Sequence, residues 1–385
     1  MHFVFSSRRS GKRINRRNKM KRIAKKILVL LLTAVLIIPQ AACSANGGGQ
    51  KEGPSGSGQA AAADDEKEIR GPVTGQDFHF DTVCQITIYS MDHMTQAAAD
   101  DALEQAFALC GTYEDMLSKT LEGTDIYRIN HAGGVPVECD PETVEIIRMG
   151  LQYAELSDGK FDITIGKAVD LWDFHADAVP AVPDPALLSE AVSHVDYKTV
   201  SIEGSQVTLT DPEAEIDLGG IAKGYVADRV CEKLEECGVT GAIVSLGGNV
   251  DCLGSKPDGK KEKDFVVGIE APYSDKSEVV GSTPASDRTV VTSGVYERFF
   301  TYEGREYHHI LDPETGYPAD SDVLGVSIAA ARGKSADCDA LATICLILGA
   351  EKGMELVESM DGFEALFITR ENKILTTKGF DFTKH

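Results

Sequence analysis

Over residues 78–90 apolar and polar side chains alternate with a period of two, which predicts a strand. From Gln96 to Ser118 the apolar positions recur every three to four residues, the spacing of one helix face. A second helical stretch opens at Asp140-Pro141, a capping carboxylate followed by a residue suited to the first helical position. It closes at Asp158-Gly159. "DPALLSEAVSHV" (184–195) opens in the same way, and "TVSIEGSQVTLT" (199–210) alternates on both sides of a glycine, the pattern of a hairpin. A helix running to about Cys237 comes next, then short apolar strands at 242–246, 265–270 and 289–293. "ERFFTYEGREYHHIL" (297–311) predicts a second hairpin about Glu303-Gly304. Residues 323–331 form a strand, 335–360 a helix in two pieces, and "EALFITRENKILTT" (364–377) a third hairpin. Helices and hairpins are intermixed without regular strand–helix–strand alternation, so the fold class is α+β. No internal repeat is present.

The ends and the charge change this picture. Residues 8–26 are cationic, and "ILVLLLTAVLII" (27–38) is unbroken apolar. Twelve residues fall short of the roughly 20 that span a bilayer but fit the apolar region of a signal peptide. Residues 1–42 are therefore expected to be a signal peptide, with Met20 as a second candidate start. "PQAAC" resembles a bacterial lipobox, which makes Cys43 the expected lipidated first residue of the mature chain. Gln40 departs from the aliphatic residue usual in such signals, and the bland alternative is secretion with an unmodified cysteine. From Cys43 to residue 76 the chain is rich in Gly, Ser, Ala, Gln and acid and reads as a flexible tether, leaving 77–385 as the globular domain. The expected location is the extracytoplasmic face of the cell membrane.

The first 42 residues hold 11 of the 38 Lys and Arg and no acid, so the remainder carries 27 basic against 61 acidic residues. A body that acidic is a poor general binder of nucleic acid. Eight cysteines besides Cys43 contain no Cys-x-x-Cys pair and no zinc spacing, so neither a disulfide framework nor a zinc site is indicated.

Five clusters carry possible chemistry. "DLGGIAKGYVADR" (217–229) runs an acidic turn through Gly-Gly and a lysine into a helix. Helix openings attract phosphates, and glycines let a ligand approach the backbone; the bland reading is a tight turn with Lys223 in solvent. "GKFDITIGKAVDLWDF" (159–174) holds acids, glycines and the only Trp, or is a strand with core aromatics. "VSLGGNVDCLG" (244–254) is a strand running into a Gly-Gly-Asn loop. In "YHHILDPETGYP" (307–318) two adjacent histidines end a strand and face opposite sides, so at most one serves any site. In "SADCDALATICLILG" (335–349), Asp339 and Thr343 are four apart and share a helix face. A carboxylate and a hydroxyl are hard oxygen ligands suited to Mg²⁺, or Asp339 is a charge near a helix start.

Together these stretches resemble the ApbE family of FAD:protein FMN transferases, over about residues 78–380. The resemblance rests on "FDITIG…VDLWDF", "IDLGGIAKGYVADRV", "SLGGNV", "TSGVYERFF…HHILDPETGYP" and "DALAT". It implies one compact, T-fold-like α+β flavin transferase domain. It also implies Mg²⁺-dependent transfer of the FMN half of FAD to a Ser or Thr of an exported redox protein, leaving AMP. By the same resemblance Asp217 and Lys223 contact FAD, with Ile310, Gly159, Lys160 and Phe161 at further contacts. The Gly220 carbonyl, Asp339 and Thr343 hold the metal, and His309 assists transfer. An imidazole at its reference pKa of about 6.5 would lose that role as the pH falls below it. Phe80-Asp81-Thr82 departs from the family's Met-Gly-Thr, Lys167-Ala168 from Pro-Leu, and Cys338 from Ala. Two other classes stay open on sequence: a hydrolase releasing FMN and AMP, and a non-enzymatic flavin-binding lipoprotein.

Overall fold

The computed structural model describes residues 67–174, 179–259, 261–274 and 278–385. The expected signal peptide, Cys43 and the expected tether up to residue 66 lie outside these. All described residues belong to one compact unit, 63–385. Its first strand opens at Val73, ahead of the expected boundary at 77.

The centre is one eight-stranded antiparallel sheet whose strands lie side by side in chain order. They are β1 (Val73–His79), β2 (Thr82–Met91), β3 (Val239–Leu246), β4 (Asn249–Gly254), β5 (Arg288–Gly294), β6 (Val323–Ala331), β7 (Phe363–Thr369) and β8 (Ile374–Thr376). Neighbours are joined by tight turns or by long excursions that carry everything else. The excursion after β2 holds α1 (Gln96–Leu117), α2 (Asp125–Asn130), α3 (Pro141–Leu156), α4 (Gly166–Leu171), α5 (Pro185–Val192) and α6 (Ala222–Glu236). The one after β6 holds α7 (Ser335–Leu348) and α8 (Ala350–Glu358), separated at Gly349, whose φ of 84° no helix allows. The hairpin 299–308 fills the excursion after β5.

Cys84, Ile86 and Ile88 of β2 and Val326, Ile328 and Ala330 of β6 enter the main core with α1, α6 and α7. Cys252, Val290, Ala329, Leu366 and Ile368 face the other way, onto Phe265, Val267 and Ile269. The middle of the sheet is covered on both faces. That is why "VLGVSIAA" (323–330) is buried at every position and shows no alternation.

Most of the sequence-based elements are recovered, with the following differences. Residues 78–90 are not one strand, because a turn at Phe80-Asp81 separates β1 from β2. The Gly-Gly-Asn loop is only the turn at Gly247-Gly248, since Asn249 already opens the strand 249–254. Residues 159–174 hold a turn and the short helix α4 rather than a strand. The helix α2 and the strand 279–284 carry little periodic signal and were not anticipated.

Candidate active site

The opening of α6 explains the Gly-Gly-x-x-Lys stretch. The Asp217 Oδ1 accepts the Gly219 N–H at 2.7 Å and closes the turn. A Cβ at Gly220 would lie 2.9 Å from the Phe161 ring, too close without a shift of that ring, and 3.7 Å from the Thr343 hydroxyl, an ordinary contact. Gly224 N–H donates to Asp339 Oδ2 at 3.0 Å, and Lys223 Nζ stands 3.5 Å from the same oxygen and donates to the Gly219 carbonyl at 3.2 Å.

Lys160, Phe161, Asp217, Gly220, Lys223, His309, Ile310, Asp339 and Thr343 all line one cavity of about 470 Å³. That size lies inside the roughly 300–1,000 Å³ of small-molecule sites. Gly159 lies beside the cavity rather than on it. Its φ of 78° ends α3, with its N–H donating to the Ala154 carbonyl at 2.8 Å. Asp162 is buried and oriented inward, accepting from the Thr164 backbone and hydroxyl and from the Tyr197 N–H, which shapes the loop that presents Lys160 and Phe161. Lys160 pairs with Glu314 at 3.0 Å and Asp312 at 3.6 Å.

The two histidines divide at the end of the strand 305–308, with His308 its last residue and His309 in the bend that follows. His308 is buried, its Nε2 donates to the Ala319 carbonyl at 3.1 Å, and burial pushes its pKa down to about 4. His309 lies on the cavity wall. Its Nδ1 donates to the Arg298 carbonyl at 3.2 Å. A carbonyl only accepts, so the proton is on Nδ1 and Nε2 keeps its lone pair, the tautomer of a base. The crowding of protein around the ring and then the Arg298 charge push its pKa down to about 3. This corrects the expectation of a group titrating near 6.5: the ring stays neutral through mildly acidic pH. Trp172 and Phe174 continue this wall, with Phe174 edge-on to His309 at 6.5 Å and the Trp172 indole N–H donating to the Gly316 carbonyl at 2.9 Å.

Sequence reasoning missed Lys119. Its ammonium lies 2.7 Å from Asp170, 3.3 Å from Glu215 and 3.4 Å from Asp217, and donates to the Gly166 carbonyl at 2.9 Å. Burial works against its charge, but Asp217, Asp170 and Glu215 outweigh it and raise its pKa. No local signal marks a lysine just past a helix end; only the fold brings three distant acids to it. Phe80 and Asp81 also line the cavity, with φ of 52° and 56°. Both central positions of this two-residue turn need positive φ, which Asp tolerates and Phe resists.

The donor set fits a divalent hard cation. Asp339 is 3% exposed and its hydrogen bond and ion pair both fall on Oδ2, leaving Oδ1 without either among the described residues, while the Thr343 hydroxyl makes no hydrogen bond there. The Gly220 backbone is held beside that hydroxyl. One carboxylate, one hydroxyl and one carbonyl are oxygen ligands of the kind Mg²⁺ takes when it keeps waters and substrate phosphates. No cluster of three or more His, Cys, Asp or Glu able to hold a metal exists among the described residues. Seven carboxylates and four cations line the cavity, so an anionic substrate needs added positive charge there.

The mouth of α6 with Lys223, the oxygens of Asp339 and Thr343 beside Gly220, and His309 share one cavity. Comparison with known proteins gives the class. The ApbE family profile matches residues 80–367, and the chain belongs to that family and is a transferase. The FAD:protein FMN transferase of Treponema pallidum (strain Nichols) is 36% identical over 311 residues, covering 77% of this chain and 84% of the relative. That of Klebsiella pneumoniae (strain 342) is 35% identical over 284 residues, covering 72% and 85%. The ApbE protein of Thermotoga maritima superimposes with a TM-score of 0.71 at 30% identity, over 80% of this chain and 97% of that one. The Vibrio cholerae flavin transferase ApbE gives 0.71 at 25% identity, over 80% and 98%.

Proposed function

We propose that this chain transfers the FMN moiety of FAD to a Ser or Thr hydroxyl of an exported redox protein and releases AMP, with Mg²⁺ held by Asp339, Thr343 and the Gly220 carbonyl. The observation that carries this reading is that His309, its Nε2 left without a proton by the Nδ1 bond to Arg298, shares one cavity with Lys223 and the oxygen ligand set. When bound, the cation supplies positive charge against the pyrophosphate. Lys223 adds a second charge from the mouth of α6. The acceptor oxygen attacks the phosphorus on the flavin side, the bond to the bridging oxygen breaks, and AMP leaves with that oxygen. His309 Nε2 takes the hydroxyl proton, the help a weak nucleophile needs. Asp217 and Lys160 hold the nucleotide, and the Trp172–Phe174 wall offers flat surfaces for its rings.

The same reading places the mature chain on the outer face of the cell membrane through a lipidated Cys43, where exported acceptors are met. One reaction tests it. The mature chain, FAD, Mg²⁺ and a candidate acceptor are incubated, then resolved by denaturing electrophoresis and imaged for flavin fluorescence. Fluorescence on the acceptor band, with AMP in solution, is the expected result. Free FMN with AMP assigns hydrolysis instead, and unchanged FAD assigns binding alone.

A further inference from the structure

Two helices carry the proposed ligands and the cation, and neither caps itself. Ile221 and Lys334 occupy the N-cap positions of α6 and α7, and neither side chain bonds a backbone N–H. Helix starts leave N–H groups that need acceptors, usually a Ser, Thr, Asp or Asn at that position. Here each helix supplies the other's acceptor. Asp339 of α7 takes the Gly224 N–H in the first turn of α6 at 3.0 Å. Asp228 of α6 takes the Ser335 and Ala336 N–H groups that open α7 at 3.1 and 3.2 Å. Asp228 is 6% exposed and is absent from the cavity wall, so no step of the reaction uses it. The helices meet at Gly224, where a Cβ would lie 2.2 Å from the Ser335 carbonyl oxygen.

We propose that Asp228 is a positioning residue for the cation site: by clamping the start of α7 to α6, it holds Asp339 and Thr343 against Gly220 and so sets divalent-cation affinity. The inference rests on the metal reading given above. Ser335 lies one helical turn before Asp339 and two before Thr343. A helix moves as a unit, so a loosened start displaces both ligands from the loop that carries Gly220. Mg²⁺ demands near-ideal geometry, and displaced supports of ligands cost affinity. The FAD contacts proposed at Asp217, Lys160 and Ile310 stand on other segments, and Lys223 stands on α6 itself, whereas the clamp holds the start of α7, so nucleotide binding without metal does not depend on it.

The experiment uses the full chain in detergent with FAD bound, wild type beside Asp228→Asn and Asp228→Ala. Mn²⁺ is titrated in, and the free ion is counted by its electron paramagnetic resonance signal. FAD affinity is measured separately in chelator. Asp228→Ala is expected to weaken Mn²⁺ binding roughly 10-fold. Asp228→Asn, which keeps an acceptor oxygen, should fall between it and wild type. FAD affinity in chelator should stay unchanged, and the Mg²⁺ needed for half-maximal transfer should rise while the rate at saturating Mg²⁺ recovers. Wild-type Mn²⁺ affinity in both variants overturns the proposal. So does a parallel loss of FAD and Mn²⁺ affinity, which marks general loosening. If Asp228→Ala does not fold, Asp228→Asn carries the test by the same criteria. A wild-type chain that takes up no Mn²⁺ removes the metal reading, and this inference with it.

Discussion

Replacing Gly224 with alanine tests how closely α6 and α7 must approach. Alanine is the better helix former by roughly 1 kcal/mol, so propensity alone predicts a gain. The added Cβ would lie 2.2 Å from the Ser335 carbonyl oxygen, 2.5 Å from its carbon and 2.7 Å from the Ala336 Cα. All three are backbone atoms and cannot swing aside, so the helices must open by about 1 Å to restore ordinary contact. Overpacking of this kind costs about 1–3 kcal/mol. The opening also stretches the 3.0 Å bond from Gly224 N–H to Asp339, and a bond to a charged acceptor contributes roughly 1.5–3 kcal/mol. The net expectation is a loss of about 2–4 kcal/mol, read as a lower urea midpoint at unchanged slope. A lower affinity for the activating cation should accompany it. Gly111→Ala is the control. It sits inside α1, and its Cβ would meet only His79 Cε1 at 3.5 Å, an ordinary contact. It should stabilise by about 0.5–1 kcal/mol. A Gly224→Ala chain as stable as wild type, with unchanged cation dependence, would refute the close-approach reasoning.

His309→Ala should slow single-turnover transfer by roughly 10²–10⁴-fold with little change in FAD affinity, while His308→Ala, tested as the control, should leave the chemical step intact. Because burial and Arg298 hold the His309 pKa near 3, the neutral base persists as pH falls, and its contribution should stay flat from pH 8 to pH 5; a midpoint near 6.5 contradicts this. Asp339→Ala should abolish Mg²⁺-dependent activity and Mn²⁺ uptake, and Thr343→Ala should do less because water replaces a neutral ligand; wild-type turnover of Asp339→Ala at limiting Mg²⁺ removes the metal assignment. Asp251 is fully buried, and burial and then the Asp228 charge raise its pKa to about 8 against the Ser335 and Thr289 hydroxyls, which lower it. Its folded pKa exceeds its unfolded one, so the folded state binds more protons between pH 4 and 8 and wild-type stability falls as pH rises through that window. Asp251→Asn should therefore gain stability over wild type as pH rises, and chemical unfolding at pH 5 and pH 8 checks the sign. Mass spectrometry of the mature chain should find Cys43 as a lipidated first residue, and an unmodified N-terminus or a retained signal counts against it.

Local pattern alone determined most elements of this protein. The 3.6-residue period of 96–118, the Asp-Pro opening at 140–141 and the glycine-centred hairpins at 204 and 304 are properties of neighbouring residues, and they folded as their spacing required. The two adjacent histidines likewise parted, His308 closing the strand 305–308 and His309 entering the bend after it. Quoted motifs located Lys223, Asp339 and Thr343, since each sits in a stretch with a distinctive local composition. Tertiary structure decided the rest. Lys119 joined the site because Asp170, Glu215 and Asp217 arrive beside it from another segment. The depressed His309 pKa comes from the protein packed around its ring and from the Arg298 charge, which the folded hairpin returns to its side. The exchange of caps between α6 and α7 joins residues more than a hundred positions apart. Helix and turn formation depend on energies between near neighbours and can be read along the chain. Charge pairing, desolvation and helix docking depend on which distant groups the fold brings within a few ångströms.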